Sequence, residues 1–583
     1  MGGTTEGWRW GRTGRRAVAG LVAGAVATIG LSTGAGAAAV ADGPATTSAP
    51  TATSHDTSQQ WLDSGHQEFG GGTIRSLWLS DVAKAIRSDR LSGSADGRGI
   101  DVALLDTGIA PVDGLTDPAV VANGPDLSLD YQVGAPAGVD GFGHGTHLAG
   151  IIAGRNSNNR GIARGARLLN MKAGAADGSV DVSQVIAGID WVVEHRNDPG
   201  MNVRVLNLSF GTESVQGYQL DPLAHAVESA WRNGIVVVVA AGNSGGALTD
   251  PAIDPYVLTV GAADLGDPST TSDDKVADFS SVGTNARRVD LVAPGVSIIS
   301  SVATDSLAAD EHPEAIVSGT YIKGSGTSQA AAVVSGAVAD LLSAHPNLTP
   351  DQVKGLLTVT ATRLWNSPSS AQGAGLINVD LADTLSPLAW LLPRQSFAPS
   401  TGLGSIEAAR GGNHLMAPDG SDLQGEIDIL GNPWVPAIWA PLASAGRAWT
   451  NGTWNGGELT GIGWATATNA DGAPFTGSTW RGSTWRSDAW AGSTWRGSTW
   501  RGSTWRSSTW RGSTWRGSTW RGADTLEERL TDLAAMVTTV SEDQADSGES
   551  PDAVAAATAA IRALAAQAEA IEAGTAQADA ATA

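Results

Sequence analysis

From about residue 76 to residue 386, short near-continuous apolar runs alternate with stretches whose apolar residues recur every three or four positions. The runs are Ile100 to Leu105, Leu168 to Met171, Val203 to Phe210, Ile235 to Ala241 and Tyr256 to Val260, and each predicts a buried strand. Between them, Val182 to His195, Pro222 to Arg232 and Ser328 to Ala344 carry the helical period. Strands with no polar face, alternating with helices, imply a mostly parallel sheet covered on both faces, in one α/β domain of about 300 residues.

Outside that span the pattern changes. Residues 42–75 are rich in Ser, Thr, Ala, Gly and Pro and read as a linker or short leader, with no independently folded propeptide expected. Residues 387–476 are rich in Gly, Pro and Trp with weak periodicity, a connecting region. Residues 477–522 are Gly-Ser-Thr-Trp-Arg repeats that place Trp at 480, 485, 490, 495, 500, 505, 510, 515 and 520. A five-residue step turns successive Trp by about 140° on a helix and sends them to alternate faces of a strand. A coil with turns at each Gly-Ser, or a repetitive solenoid, suits that period better. Residues 523–583 are acidic and Ala-rich. There Leu526, Leu530, Leu533 and Val537 keep helical spacing, and Pro551 to Ala573 is a second helical candidate ended by Gly574.

The 583 residues carry 59 acidic and 36 basic side chains, a formal net charge of -23. The whole chain therefore lacks the basic footprint of a nucleic-acid protein. Having no cysteine, it has no thiol nucleophile, thiolate zinc site or disulfide. Arg9, Arg12, Arg15 and Arg16 precede an uncharged, weakly apolar stretch from Ala17 to Leu31, and Ala39-Val40-Ala41 precedes Asp42. This is the pattern of a secretory signal peptide over residues 1–41, too short and too weakly apolar to anchor in a bilayer. It predicts a secreted or cell-wall-associated protein with no transmembrane segment after signal removal.

Four patches carry candidate chemistry. Asp106-Thr107-Gly108 follows the first strand, at the carboxyl end where α/β sheets gather ligands; alone, it reads first as a strand-ending turn. His144-Gly145-Thr146-His147 places an imidazole in the first turn of a helix that small residues let approach its neighbours. An exposed histidine or a His-x-x-His metal site are the other readings, and the metal site has no His-Glu-x-x-His pattern behind it. Ala240-Ala241-Gly242-Asn243-Ser244-Gly245 closes a strand with an amide able to donate into a cleft, or is a plain turn. Gly324-Ser325-Gly326-Thr327-Ser328-Gln329 puts Ser328 at a helix N-terminus, where free N–H groups favour an oxyanion; an ordinary serine cap would look the same.

Together they supply what serine-nucleophile chemistry requires: a hydroxyl, a base, a carboxylate to orient the base and an oxyanion donor. In the order Asp, His, Asn, Ser, with the surrounding text Val102 to Gly108, His144 to His147, Ala240 to Asn243 and Gly326 to Ser328, the chain resembles the subtilisin-like (subtilase) serine peptidases over about 76–385. Secreted actinobacterial members with Trp-rich tails are nearest in flavour.

The resemblance implies a three-layer subtilisin-like domain over 76–386 and a secreted serine endopeptidase acting through an acyl-enzyme. It makes Ser328 the nucleophile, His144 the general base and then acid, and Asp106 the carboxylate that orients the imidazole. Asn243 and the Ser328 N–H would form the oxyanion hole. Leu208-Ser209-Phe210-Gly211 resembles the strand that pairs with an extended substrate, and Ala240-Ala241-Gly242 a wall of the pocket for the residue before the cut. Protein or peptide substrates follow, with no cofactor for the chemistry. Structural calcium is common in the family; here Asp250 to Asp254 and Asp264 to Asp274 show no diagnostic spacing for it. The chain departs from many subtilases at Gln329, commonly Met, and at Ala332, commonly Pro.

The repeats hold eight Arg and one acidic residue, Asp488. Spaced Trp and Arg suit an anionic wall polymer or polysaccharide, packing on the protein's own body, or, least in keeping with the charge, single-stranded nucleic acid. An alternative function is therefore a cell-wall or polysaccharide-binding scaffold in which this tail is the main functional element.

Overall fold

The computed structural model describes residues 76–458, apart from 94, 131–134, 267–272, 413, 416–422 and 451. The signal segment, the leader 42–75, the pentapeptide repeats and the 523–583 tail lie outside the described residues.

The apolar runs assemble as one sheet. Its strands are β1 (Asp101–Asp106), β2 (Val121–Asp126), β3 (Arg167–Lys172), β4 (Val203–Leu208), β5 (Val236–Ala240), β6 (Leu258–Asp264), β7 (Lys275–Val276) and β8 (Leu291–Pro294). They lie in the order β2-β3-β1-β4-β5-β6-β7, with β8 also paired to β6. Every pairing is parallel except β6 with β7. In β1 all residues but Asp106 are buried, as expected of a central strand covered on both faces. The register sets Asp106 beside Lys172 and Leu105 beside Leu208, so the strands end together at one rim of the sheet.

Helices α1 (Leu79–Ile86), α2 (His144–Ala153), α3 (Val182–His195), α4 (Pro222–Arg232), α5 (Leu307–Glu311), α6 (Thr327–Ala344) and α7 (Pro350–Thr360) surround it. Contacts divide the main ones into two layers: α2 packs on α6, which crosses β4, β5, β6 and β8, whereas α3 packs on α4, against β1 and β5. Asp181 caps α3 in a capping box with Gln184, and Asp221 caps α4 ahead of Pro222, so both helices begin where the sequence signals put them. Helix α6 is buried from Thr327 to Leu342, which its Ala-, Val- and Gly-rich text permits. A Cβ on Gly336 would stand 2.8 Å from Ile162 Cβ, so only glycine allows that approach.

Some elements escaped the pattern. β2 reads Val-Ala-Asn-Gly-Pro-Asp because it is an edge strand, where proline and polar residues are tolerated. β6 begins two residues later than the run from Tyr256 and continues through Gly261-Ala262-Ala263, whose small side chains carry little apolar signal. A small antiparallel sheet of β9 (Ile298–Ser301), β10 (Ile316–Ser318) and β11 (Tyr321–Gly324) lies against α2 and has its own core of Phe142, Val302, Ala308, Ala309, Ala315 and Ile322.

The segment after residue 386 read as a connecting region; its described part packs into the main core, which runs from Leu77 to Trp454. The buried Arg410 donates from Nε to both oxygens of Asp181 at 2.9 and 3.1 Å, and so grips the cap of α3. The indoles of Trp439 and Trp454 both donate to Oδ2 of the buried Asp190 in α3, at 2.7 and 2.8 Å. Trp449 donates to the Ala187 carbonyl at 2.9 Å. No described helix is long and apolar enough to cross a membrane.

Candidate active site

Asp106 ends β1 at the carboxyl rim of the sheet, and His144 begins α2. What joins them is close backbone approach: a Cβ on Gly145 would lie 2.2 Å from the Gly108 carbonyl oxygen and 3.2 Å from Asp106 Oδ1. Only glycine lets the first turn of α2 press against the 106–108 loop. Gly143, with φ of 110°, supplies the left-handed entry to that helix. His144 Nδ1 then lies 2.7 Å from Asp106 Oδ1, and Thr107 N donates to the same oxygen at 2.8 Å. A carboxylate on Nδ1 fixes the tautomer with its proton there and leaves Nε2 as the basic nitrogen.

Burial is the largest influence on His144 and pushes its pKa down. The charge and hydrogen bond of Asp106, with the charge of Asp140, outweigh it, so the imidazole stands above its ordinary value. His147 is different. Buried and hydrogen-bonded through Nε2 to the Ile298 carbonyl at 3.2 Å, it is driven down to about 3 by burial and by His144. It is a buried core histidine. Among the described residues no group of three or more His, Asp or Glu side chains could hold a metal ion. Of the acidic stretch considered for calcium, Asp250 and Asp254 are buried and pushed well above the carboxylate range by burial first; Asp250 also faces Asp221, and Asp254 faces Glu228.

Ser328 is the second residue of α6 and is buried. Two segments converge on the start of α6. Ser209, just past β4, donates from Oγ to the Ser328 carbonyl at 3.5 Å, and Asn207 donates to Ser209 Oγ at 3.1 Å. Gly242 N donates to Thr327 Oγ1 at 3.2 Å, and Asn243 Oδ1 accepts from Thr327 N and Oγ1 at 2.9 and 3.0 Å. With Oδ1 committed to two donors, the amide orientation is settled, and Nδ2 lies 3.6 Å from where a Cβ on Gly326 would be. Gly211 and Gly242 both face Thr249: added Cβ atoms would stand 2.2 Å from its Oγ1 and 3.2 Å from its Cγ2 respectively. Phe210 and Ala241 are buried. Gln329, fully buried next to Ser328, has neither amide atom paired with a protein group.

Asp140 escaped the sequence reading. It is buried and accepts five hydrogen bonds: on Oδ1 from Phe142 N at 3.0 Å, Gly143 N at 2.8 Å and Thr107 Oγ1 at 2.9 Å, and on Oδ2 from Thr146 N at 2.8 Å and Thr146 Oγ1 at 2.7 Å. The signal was available: an aspartate stands four residues ahead of a helix whose N-cap, Gly143, has no side chain to cap with. A second Ser/His/Asp grouping, Ser386, His345 and Asp383, does not make a relay, because its serine and aspartate approach the same nitrogen most closely, Nε2, at 2.9 and 2.7 Å.

The family model described as Subtilase family matches residues 97–375. Serine protease AprX of Bacillus subtilis is 35% identical over 331 residues, covering 53% of this chain and 74% of that protein. Subtilisin DY of Bacillus licheniformis is 35% identical over 305 residues, covering 51% of this chain and 96% of the relative. Subtilisin Savinase of Lederbergia lenta is also 35% identical, over 289 residues, with 49% and 91% covered.

Proposed function

Because the chain belongs to the subtilase family and is a serine endopeptidase, we propose that it cleaves peptide bonds through an acyl-enzyme carried by Ser328, with His144 and Asp106 completing the triad. The single observation that carries this assignment is the 2.7 Å contact between His144 Nδ1 and the carboxylate of Asp106, at the rim where α6 also begins. His144 Nε2 takes the Ser328 proton as Oγ bonds to the scissile carbonyl carbon, and the imidazolium is stabilised by Asp106. The proton then passes to the leaving amine as the C–N bond breaks, and water repeats the sequence to release the acid. Asn243 Nδ2 and the Ser328 N–H stabilise the oxyanion, at a helix start where N–H groups point outward.

Ser209-Phe210-Gly211 and Ala241-Gly242 are the backbone edges against which an extended substrate would lie, which favours broad sequence tolerance. The signal-like N-terminus supports export, and the Trp/Arg repeats support attachment to a wall polymer. The kinetic test is peptide turnover by Asp106→Asn, expected to lose about 10⁴-fold in kcat because the imidazole loses its tautomer. A loss below tenfold would remove Asp106 from the role.

A further inference from the structure

We propose that Asp140 is a positioning residue for His144: it caps α2 so that the imidazole meets Asp106, and it places a second carboxylate behind the base. The proposal rests on His144 being the general base. Its structural half is the hydrogen-bond list. Thr146 is the third residue of α2, so Asp140 takes the role of an N-cap side chain that Gly143 cannot fill. The second residue, Gly145, donates instead to Thr107 Oγ1 at 2.9 Å, and that hydroxyl donates on to Asp140. Thr107 thus ties both carboxylates together, its N–H on Asp106 and its hydroxyl on Asp140. The first turn of α2 is fixed to the loop that carries Asp106 at two successive residues.

The electrostatic half follows from what surrounds the base. His144 faces Asp106 from β1, Asp140 from the loop before α2, and His147 from its own helix, which is neutral. From β3, the fully buried Lys172 opposes the carboxylates. Its Nζ pairs with Asp130 at 2.9 Å and donates to the Thr107 and Gly174 carbonyls at 2.7 and 3.0 Å. Burial raises Asp140 above the ordinary carboxylate value, and Lys172 with the donors from Gly143 and Thr146 oppose that rise only in part. The charge of Asp140 acts on His144 to raise it. Asp140 therefore favours the imidazolium formed as Ser328 attacks.

The test is the pH profile of kcat/KM for Asp140→Asn in the full chain. The amide keeps the size and one acceptor but removes the charge. The acid limb, which reports His144 in the free enzyme, should move to lower pH by about half a unit or more. In parallel kcat should fall about ten- to a hundredfold with KM changed less than threefold. A lower kcat with the acid limb unmoved would reduce Asp140 to a structural cap and overturn the proposal, as would a wild-type profile. If Asp140→Asn does not fold, Asp140→Ser, which also removes the charge, should move the limb downward in the same way; no shift, or an upward one, overturns it. Ser328→Ala measured alongside separates the two ideas: residual wild-type turnover there would reject the triad, whereas an inactive Ser328→Ala with an unmoved limb in Asp140→Asn rejects only this assignment.

Discussion

Replacing Asp190 tests how the segment after residue 386 is held. Trp439 and Trp454 both donate to its Oδ2, and Oδ1 has no protein partner. Burial pushes this carboxyl up to about 7 from 3.8, the indole donors only partly opposing it, with Glu194 adding to the rise. A carboxyl raised on folding is bound to its proton more in the native state than in the unfolded one. Its contribution to stability is greatest at low pH and is lost as pH rises towards the folded value. The window therefore runs from about 4 to about 7, and at about 1.4 kcal/mol per pH unit the total is about 4 kcal/mol. Between pH 5 and pH 8 the wild type should lose about 3 kcal/mol from this group. Asp190→Asn keeps an oxygen for the indoles and does not titrate, so its stability relative to wild type should rise by that amount across the interval. Asp190→Ala leaves two buried indole N–H groups without an acceptor, each costing about 1–3 kcal/mol at either pH. Urea unfolding followed by far-ultraviolet circular dichroism measures both, in a Ser328→Ala background so that the unfolded chain is not digested. Equal pH dependence in wild type and Asp190→Asn would refute the reasoning, because the buried carboxyl would then be titrating as it does in water.

Three further outcomes follow from the site. Asn243→Ala should lower kcat about 10²–10³-fold with KM little changed, read from initial rates on a peptide substrate, if its Nδ2 acts on the oxyanion as proposed. The free-enzyme kcat/KM should rise with pH through a midpoint above the ordinary imidazole value of 6.5, because Asp106 and Asp140 hold His144 protonated to higher pH and only the neutral ring can accept the serine proton. With Gln329 in place of a thioether beside Ser328, activity should survive dilute hydrogen peroxide, while Gln329→Met should become peroxide-sensitive as sulfoxide forms next to the proposed nucleophile. Equal rates of inactivation in the two proteins would count against that reading.

Local signals made much of the body legible. α3 and α4 span Val182–His195 and Pro222–Arg232, the stretches that the helical period marks out. The central strands are legible because burial on both faces demands unbroken apolar text, and β2 is hidden because an edge strand does not. The packing of residues 387–458 was not legible, for a different reason. It depends on single polar pairs far apart along the chain, such as Arg410 with Asp181 and Trp454 with Asp190, separated by 229 and 264 positions. No periodicity announces such pairs. At the site, the small residues around His144 signal a close helix approach, and the structure realises it as Gly145 against Gly108. The Thr107 to Asp140 link is a side-chain contact across 33 positions, invisible to motif spacing although the aspartate itself sits beside the motif.

The most direct measurement is covalent labelling of the full chain with a fluorophosphonate, read by intact mass and peptide mapping. A triad at Asp106, His144 and Ser328 predicts one adduct, on the peptide carrying Ser328, lost with stoichiometric peptide turnover in Ser328→Ala and slowed by orders of magnitude in His144→Ala. Labelling at another serine, or undiminished labelling and turnover in Ser328→Ala, would contradict it.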